Sequence, residues 1–519
     1  MDRKRKSSNT TISNLDLLSR TKAEKLFQKK ASYVKDKDIE WHLPNTQAVG
    51  STCPVWTVTE LQDLKLKLNN LKDKLSDKEI SEWHSHTQFM NFAGNIVQDV
   101  RQQLHPELCT QAWCKFYEII STYDLVDFDS SNFNTVHLCE APGAFVTSLN
   151  HFLISNEVHG HGMPNTLNPW YEGNSVGEMI DDDHFIRDTA DYWYFGPDNT
   201  GNIMDLSNLK CLVEKCQEMG NIHLVTADGS IDCQDDPAEQ ELVVSRLHIC
   251  EALTTMSILA PGGHMVLKKF TMFECDTICL MYILNCMFSE VHLIKPASSK
   301  SGNSEVYIVC KEFLAPDGHK LLINRMCEMY FDSDSNLSTP PRCMFAIDQI
   351  PGSFLHKHIN ICTLFTNLQG ETIQNNLDHY PVLSDKYRAW IESVKEYCAE
   401  FYFNLYNVRP VPDHCRVVPF RTQKKIKKLN GFSTRGSKFR DKKRRNGTFN
   451  DRQMVARLPW KQRIQQMEKL EISPIHPVWF KVIYQSLFCI EMLVIVYCKR
   501  ENFCMGLNFA YFMYQGTPT

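Results

Sequence analysis

The chain has 519 residues, 43% hydrophobic and 23% charged, enough for about three domains with packed cores. Its 56 basic and 61 acidic residues give a net charge of −5, so overall charge selects neither nucleic acid nor membrane as a partner. The 20 cysteines lack the paired spacing of a zinc site, and Met1 to Lys6 lack the apolar run of a secretory signal, so reduced thiols in an intracellular protein are expected.

Residues 1–55 are polar and weakly periodic, and are expected to be a flexible N-terminal segment. The basic run Arg3 to Lys6 could be a nuclear signal, but an ordinary basic terminus is the favoured reading. Leu61, Leu64, Leu68, Leu71 and Leu75 recur at spacings of three and four and predict an amphipathic helix over 59–76. Helical patterning continues from Glu79 through Arg101, which makes 56–106 a helical extension. Residues 107–121 read as a further helix, with Lys115 among Trp113, Phe116 and Ile119. A lysine in such company ordinarily lies at the surface with its stem along apolar neighbours.

From Val136 the pattern changes. A short apolar run ends in the turn Pro142-Gly143, and Phe145, Leu149, Phe152 and Leu153 follow at helical spacing. A turn at the carboxyl end of a strand in an open α/β sheet lines the crevice where ligands bind, and a glycine there lets the backbone come close to one. Strands are predicted at 136–140, about 160–167, 222–227, 263–269, 290–295 and 304–310. Helices are predicted between them at 144–154, 239–259 and 275–287. This alternation predicts a doubly wound α/β sheet over 107–320. The loop between 295 and 304 is too short for a helical crossover, so the last two strands are antiparallel neighbours. The expected fold is that of the class I methyltransferases, a Rossmann-like parallel sheet with one antiparallel edge hairpin, preceded by the helical extension.

Beyond 320 the periodicity weakens. Residues 321–415 read as a helical and mixed extension, with a loop at 333–342 and a helix over 383–405. The segment 416–460 is basic, from Arg421 to Arg445, with Phe432, Phe439 and Phe449 interleaved. Cations beside aromatic rings suit RNA, and a solvated linker has the same composition. Residues 461–519 are an unassigned tail, as in a truncated gene model. Lys481, Gln485 and Glu491 interrupt its apolar run, which makes it a poor membrane span.

Three strand ends carry charge. Asp228 follows the strand 222–227, Lys268 closes 263–269 and Glu305 opens the last strand. That strand runs opposite to the others, so its start shares a sheet edge with their ends, and the three side chains can converge. Lysines and carboxylates around a crevice suit a catalytic site and also a structural ion-pair cluster. Lys269 competes with Lys268 for the position, and the preceding Val266-Leu267 favours 268. Trp170, Tyr171, Trp193, Tyr194 and Phe195 offer faces that could stack on a base or a methylated guanine, though core packing is the favoured explanation.

Lys115, Asp228, Lys268 and Glu305, in that order, resemble the Lys-Asp-Lys-Glu tetrad of the FtsJ-like RNA 2′-O-ribose methyltransferases. The segments 111–116, 138–145, 165–170, 193–204, 226–230, 266–274 and 295–310 are similar in turn to the Adrift-type branch of that family. The resemblance implies methyl transfer from S-adenosyl-L-methionine to the ribose 2′-hydroxyl of the second transcribed nucleotide at a capped mRNA 5′ end. It implies Lys115, Asp228, Lys268 and Glu305 as catalytic residues, and Pro142, Gly143, Ala144, Gly160 and Asp228 as cofactor contacts. Ala144 stands where related enzymes often have glycine. Asn202 stands where many have an acid, which leaves the adenine contact open. A second, inactive methyltransferase-like domain is expected further along such chains than this one reaches.

A ribose hydroxyl must lose its proton as it attacks, and a neutral Lys268 could take it. An unperturbed lysine titrates at about 10.4, so its neighbours decide the matter. Lys115 and the sulfonium favour the neutral amine, Asp228 and Glu305 the charged one. The alternative is a charged Lys268 that only steers the hydroxyl. No metal is required, no membrane is expected, and the protein is expected to be a monomer of nucleus and cytoplasm. The competing readings are a cap-1 or other RNA 2′-O-methyltransferase, and a catalytically silent RNA-binding relative.

Overall fold

The structure is a computed structural model. It describes residues 14–418, except 36–40, 51–52, 129–131, 172, 175–178, 181, 234–236 and 332–342. The basic segment from Arg421 and the tail 461–519 therefore lie outside the described residues.

Segments 1–55 and 56–106 contribute α1 (Asn14–Leu26), β1 (Lys30–Ser32), α2 (Thr59–Asp73), α3 (Ile80–Met90) and α4 (Ile96–Leu104). Then come α5 (Gln111–Thr122), β2 (Phe133–Leu138), α6 (Ala144–Ser155), β3 (Gly160–Pro164), α7 (His184–Asp188) and α8 (Leu206–Met219). The domain continues with β4 (Ile222–Ala227), α9 (Gln240–Ile258), β5 (Leu259–Lys269), α10 (Cys275–Met287), β6 (Phe288–Ile294) and β7 (Val306–Phe313). It is followed by α11 (His319–Tyr330), α12 (Gly352–Asp378) and α13 (Asp385–Tyr406).

The seven strands form one sheet in the order β1-β6-β7-β5-β4-β2-β3. β3, β2, β4 and β5 are mutually parallel, and β7 is antiparallel to both β5 and β6. β2 is buried along its whole length, as expected of a strand covered by helices on both faces. Leu224, Val266 and Val309 pack on one side with Phe116 and Phe145, and Val225, Met265 and Ile308 on the other with α9 and α10.

Two expectations change. The β6–β7 hairpin is not the edge of the sheet, because β1 pairs antiparallel with β6, Ala31 opposite Leu293. Segment 1–55 is thus not uniformly flexible: α1 packs against α13, and Lys30–Ser32 extends the sheet. A three-residue strand is too short to show a period of two, and its order comes from pairing with a strand far along the chain. α8, α11 and α12 add helices that the periodicity does not predict, although Leu209, Leu212 and Cys216 of α8 do lie at helical spacing behind an Asp205 cap. Among the described residues no helix is long and apolar enough to cross a membrane.

Candidate active site

The parallel strands end on one edge, where the sequence turns polar. β4 runs into Asp228, β5 carries Lys268 as its penultimate residue, and Glu305 immediately precedes β7. Because β7 runs opposite to β5, Lys268 stands opposite Tyr307 and Lys269 opposite Val306. α5 brings Lys115 to this edge from its second turn, after the Thr110 hydroxyl has capped the helix at the Trp113 N–H.

The four charged side chains meet as two pairs. Lys115 Nζ lies 2.6 Å from Glu305 Oε1, and Lys268 Nζ lies 3.3 Å from Asp228 Oδ1. Lys268 also donates to the Asp228 carbonyl at 3.1 Å. Lys115 is only 8% exposed, so it is not the surface lysine its apolar neighbours suggest; the buried Glu305 carboxylate compensates its charge. The Ser299 hydroxyl donates to Glu305 Oε1 at 2.7 Å, and the Tyr307 hydroxyl donates to Asp228 Oδ1 at 2.9 Å.

The electrostatics follow from this pairing. Burial works to raise the Glu305 pKa, but the charges of Lys115 and Lys268 and two hydrogen bonds overcome it and hold the carboxyl at about 2. Burial works to lower the Lys268 pKa, but the Asp228 and Glu305 carboxylates outweigh it and raise the value above that of an ordinary lysine. In the absence of a cationic cofactor the carboxylates therefore win, and Lys268 is an ammonium. Burial and the Asp228 charge keep the Tyr307 phenol protonated, as its donor role requires.

Lys269 is excluded from this cluster by strand geometry, since successive side chains point to opposite faces. Its Nζ reaches Thr277 Oγ1 at 3.4 Å, and burial lowers its pKa to about 8 against the pull of Glu241.

The 139–144 turn lies beside these groups, with the Asp228 N–H donating to the Leu138 carbonyl. Gly143 has φ +115°, and a Cβ there would come within 2.3 Å of the Phe185 ring, so only glycine fits. Pro142 is half-buried and Ala144 is buried at the start of α6. The buried Glu140 carboxylate accepts the N–H groups of Phe145 and Val146 at 2.8 and 3.0 Å, satisfying the first turn of α6. Burial raises its pKa to about 8. Across the cleft, the Gly229 N–H donates to Glu251 Oε1 at 2.9 Å.

Gly160 does not join the site. It opens β3 in register with Phe133, the first residue of β2, at the edge of the sheet opposite Asp228. Four residues of strand, about 13 Å, separate it from Pro164 at the cleft end. The residue that does reach the cleft is Asn165, immediately after β3. Its backbone carbonyl accepts the Glu140 N–H, and its Nδ2 donates to the Tyr194 and Gly201 carbonyls at 3.0 and 3.3 Å. Its Oδ1 is buried with no hydrogen-bond partner. Gly201 has φ +72°, and a Cβ would fall 1.9 Å from the Thr166 carbonyl oxygen, so this close approach also requires glycine. Asn202 turns its Oδ1 to the Met204 N–H at 3.0 Å.

The aromatic residues divide. Trp193 is buried and donates to Thr189 Oγ1, Tyr194 donates to the Asn208 carbonyl, and Trp170 donates to Asp183. Trp193 and Phe195 stack at 6.4 Å, and Trp170 meets Phe195 edge-on. Tyr171 is 40% exposed. The donor atoms of Cys275, Asp276 and Cys343 lie within 4.8 Å of one another, but Asp276 Oδ1 already accepts the Met344 N–H and Cys343 donates to the Phe345 carbonyl.

Tyr307, Glu140, Glu251 and Asn165 were missed as site residues. Tyr307 and Asn165 were detectable in principle, one two residues past Glu305 and the other at the end of its strand. The buried acids gave no signal beyond their position next to the turn and within α9.

Residues 108–313 match the family described as FtsJ-like methyltransferase. The chain is 40% identical over 445 residues to the cap-specific mRNA (nucleoside-2'-O-)-methyltransferase 2 of Pongo abelii, covering 85% of this chain and 56% of that one. It is 41% identical over 455 residues to the protein of that name from Danio rerio, covering 86% and 58%. It is 40% identical over 408 residues to that from Drosophila melanogaster, covering 77% and 57%. The chain thus spans little more than half the length of these relatives. All four of Lys115, Asp228, Lys268 and Glu305 fall within the matched stretch, and the chain carries an FtsJ-like methyltransferase domain over residues 108–313.

Proposed function

We propose that this chain transfers the methyl group of S-adenosyl-L-methionine to the ribose 2′-hydroxyl of the second transcribed nucleotide of capped mRNA. The observation that carries the reading is the convergence of Lys115, Asp228, Lys268 and Glu305 at one sheet edge of an FtsJ-like domain. The names of the relatives support a capped mRNA substrate and a nucleoside 2′-oxygen as the methyl acceptor.

The residues present fit the cofactor. The glycine turn at 143 offers backbone without a Cβ, and the buried, unpartnered Asn165 Oδ1 offers an acceptor for a hydroxyl or amino group of the nucleoside. Asp228 stands between this cleft and Lys268. Bound there, the cofactor supplies an electrophilic methyl on a sulfonium, with a neutral thioether as leaving group.

The chain's own groups do the rest. Tyr307 and Lys268 hold Asp228 from two sides, and Asp228 in turn fixes the direction of the Lys268 amine. Lys268 Nζ binds the ribose hydroxyl oxygen and, once neutral, takes its proton as the oxygen attacks. Lys115 and Glu305 balance one another's charge beside it, so the ribose meets a polar wall with no net charge. Alignment of hydroxyl and methyl supplies much of the rate.

The test is methyl transfer to capped RNA with and without a methyl on the first nucleotide, with the product mapped by nuclease digestion. Label on the second ribose supports the proposal. Label on the first ribose moves the assignment to cap 1, and cofactor binding without transfer to any capped RNA favours the silent RNA-binding reading.

A further inference from the structure

The loop between β6 and β7 carries Glu305 at its closing end, and Lys295 at its opening end is 3% exposed. Lys295 Nζ donates at 2.8 Å to each of three oxygens: the Asn303 carbonyl, Asn303 Oδ1 and the Glu305 carbonyl. Three acceptors are the full complement of an ammonium, so the group has no proton left to offer a substrate. Burial lowers its pKa to about 7, against the pull of Glu305. The amine thus spans the mouth of the loop and fixes the backbone of Glu305 itself.

The same loop is held from two further sides. Glu118 of α5, one turn from Lys115, accepts the Ala297 N–H at 2.7 Å and the Ser298 hydroxyl at 3.2 Å. Gln111 Nε2 donates to the Ser298 carbonyl at 2.6 Å. From the N-terminal segment, the Lys29 carbonyl accepts the Lys295 N–H at 2.9 Å and Lys29 Nζ donates to Ser301 Oγ at 2.9 Å. Ser299, inside this frame, holds Glu305 Oε1.

We propose that Lys295 is a positioning residue for methyl transfer: by tying the two ends of the 295–305 loop together it fixes the Glu305 carboxylate against Lys115. The inference rests on the catalytic reading of Glu305 given above. With its three donors committed to Asn303 and Glu305, Lys295 acts through the loop.

The experiment uses the full chain with Lys295→Met, which keeps the length of the stem and removes the donors. Cofactor affinity by calorimetry is expected to stay within about twofold, because the 139–144 turn and Asn165 are untouched. The kcat on capped RNA is expected to fall at least about tenfold with little change in the KM for RNA, since a misplaced group costs rate rather than binding. Amide hydrogen exchange across 297–305 is expected to quicken, and Lys295→Arg to restore part of the kcat. Should Lys295→Met not fold, Asn303→Ala removes one of the three acceptors and is expected to show the same split at smaller size. Unchanged kcat with an active wild type overturns the inference and leaves the proposed function standing. A wild type without transfer counts against the proposed function, and hydrogen exchange still decides the positioning: unchanged protection across 297–305 in the variant overturns it.

Discussion

Lys115 and Glu305 form a buried ion pair with 2.6 Å between Nζ and Oε1, joining the second turn of α5 to the first residue before β7. The pair lies where the parallel strands end, and each partner is less than a tenth exposed. Removing one partner leaves the other charge buried and uncompensated, which typically costs about 3–5 kcal/mol. Lys115→Met is therefore expected to destabilise the fold by a few kcal/mol in denaturant unfolding. The double variant Lys115→Met with Glu305→Leu is expected to recover most of that loss while remaining inactive.

The acid limb of stability follows from the same pair. Glu305 has its pKa held at about 2, below the ordinary 4.5. A depressed carboxyl contributes stability that is fully present above its unfolded value and is lost as the pH falls through its folded value. Glu305→Gln is expected to flatten the loss of stability between pH 4.5 and 2, measured by denaturant midpoints across that window.

Lys268 has the opposite shift. Its pKa is raised by Asp228 and Glu305, so the neutral amine is scarce at neutral pH. A step that needs the neutral form speeds up as the pH rises toward that pKa. The single-turnover rate is expected to climb about tenfold per pH unit from 6.5 to 8.5, until bound cofactor limits the climb by lowering the pKa. A rate that is flat across this range means that Lys268 works as a cation and only steers the hydroxyl.

Tyr307→Phe removes one hydrogen bond to a carboxylate and little else. Such a bond contributes about 1.5–3 kcal/mol. If it serves to orient Asp228, kcat falls about 10- to 100-fold with cofactor affinity nearly unchanged, which steady-state kinetics and calorimetry separate.

Gly143→Ala places a methyl group into the Phe185 ring at a positive φ. Both cofactor affinity and thermal stability are expected to fall. Adding Phe185→Ala relieves the clash and not the backbone strain, so calorimetry is expected to show only partial recovery of binding.

What the sequence showed depended on the range of the signal. The strand, turn and helix around Val136 to Leu153 were readable because their apolar spacing is local. So was the antiparallel hairpin, because the loop length forces it. Lys115 alone looked like a surface residue, since the acid that buries it is contributed by the far end of the domain. The strand Lys30–Ser32 was invisible for the same reason. Family likeness alone points to Gly160, and register with Phe133 puts it at the sheet edge away from Asp228. Asn165, with its unpartnered Oδ1, stands at the right one.

The measurement that bears most directly on the account is transfer of a labelled methyl group from S-adenosyl-L-methionine to capped RNA by wild type and Lys268→Met, each paired with calorimetric cofactor binding. The account predicts transfer by the wild type, a loss of at least about a thousandfold in the variant, and cofactor affinity within a few-fold in both. Transfer by Lys268→Met at the wild-type rate would contradict it.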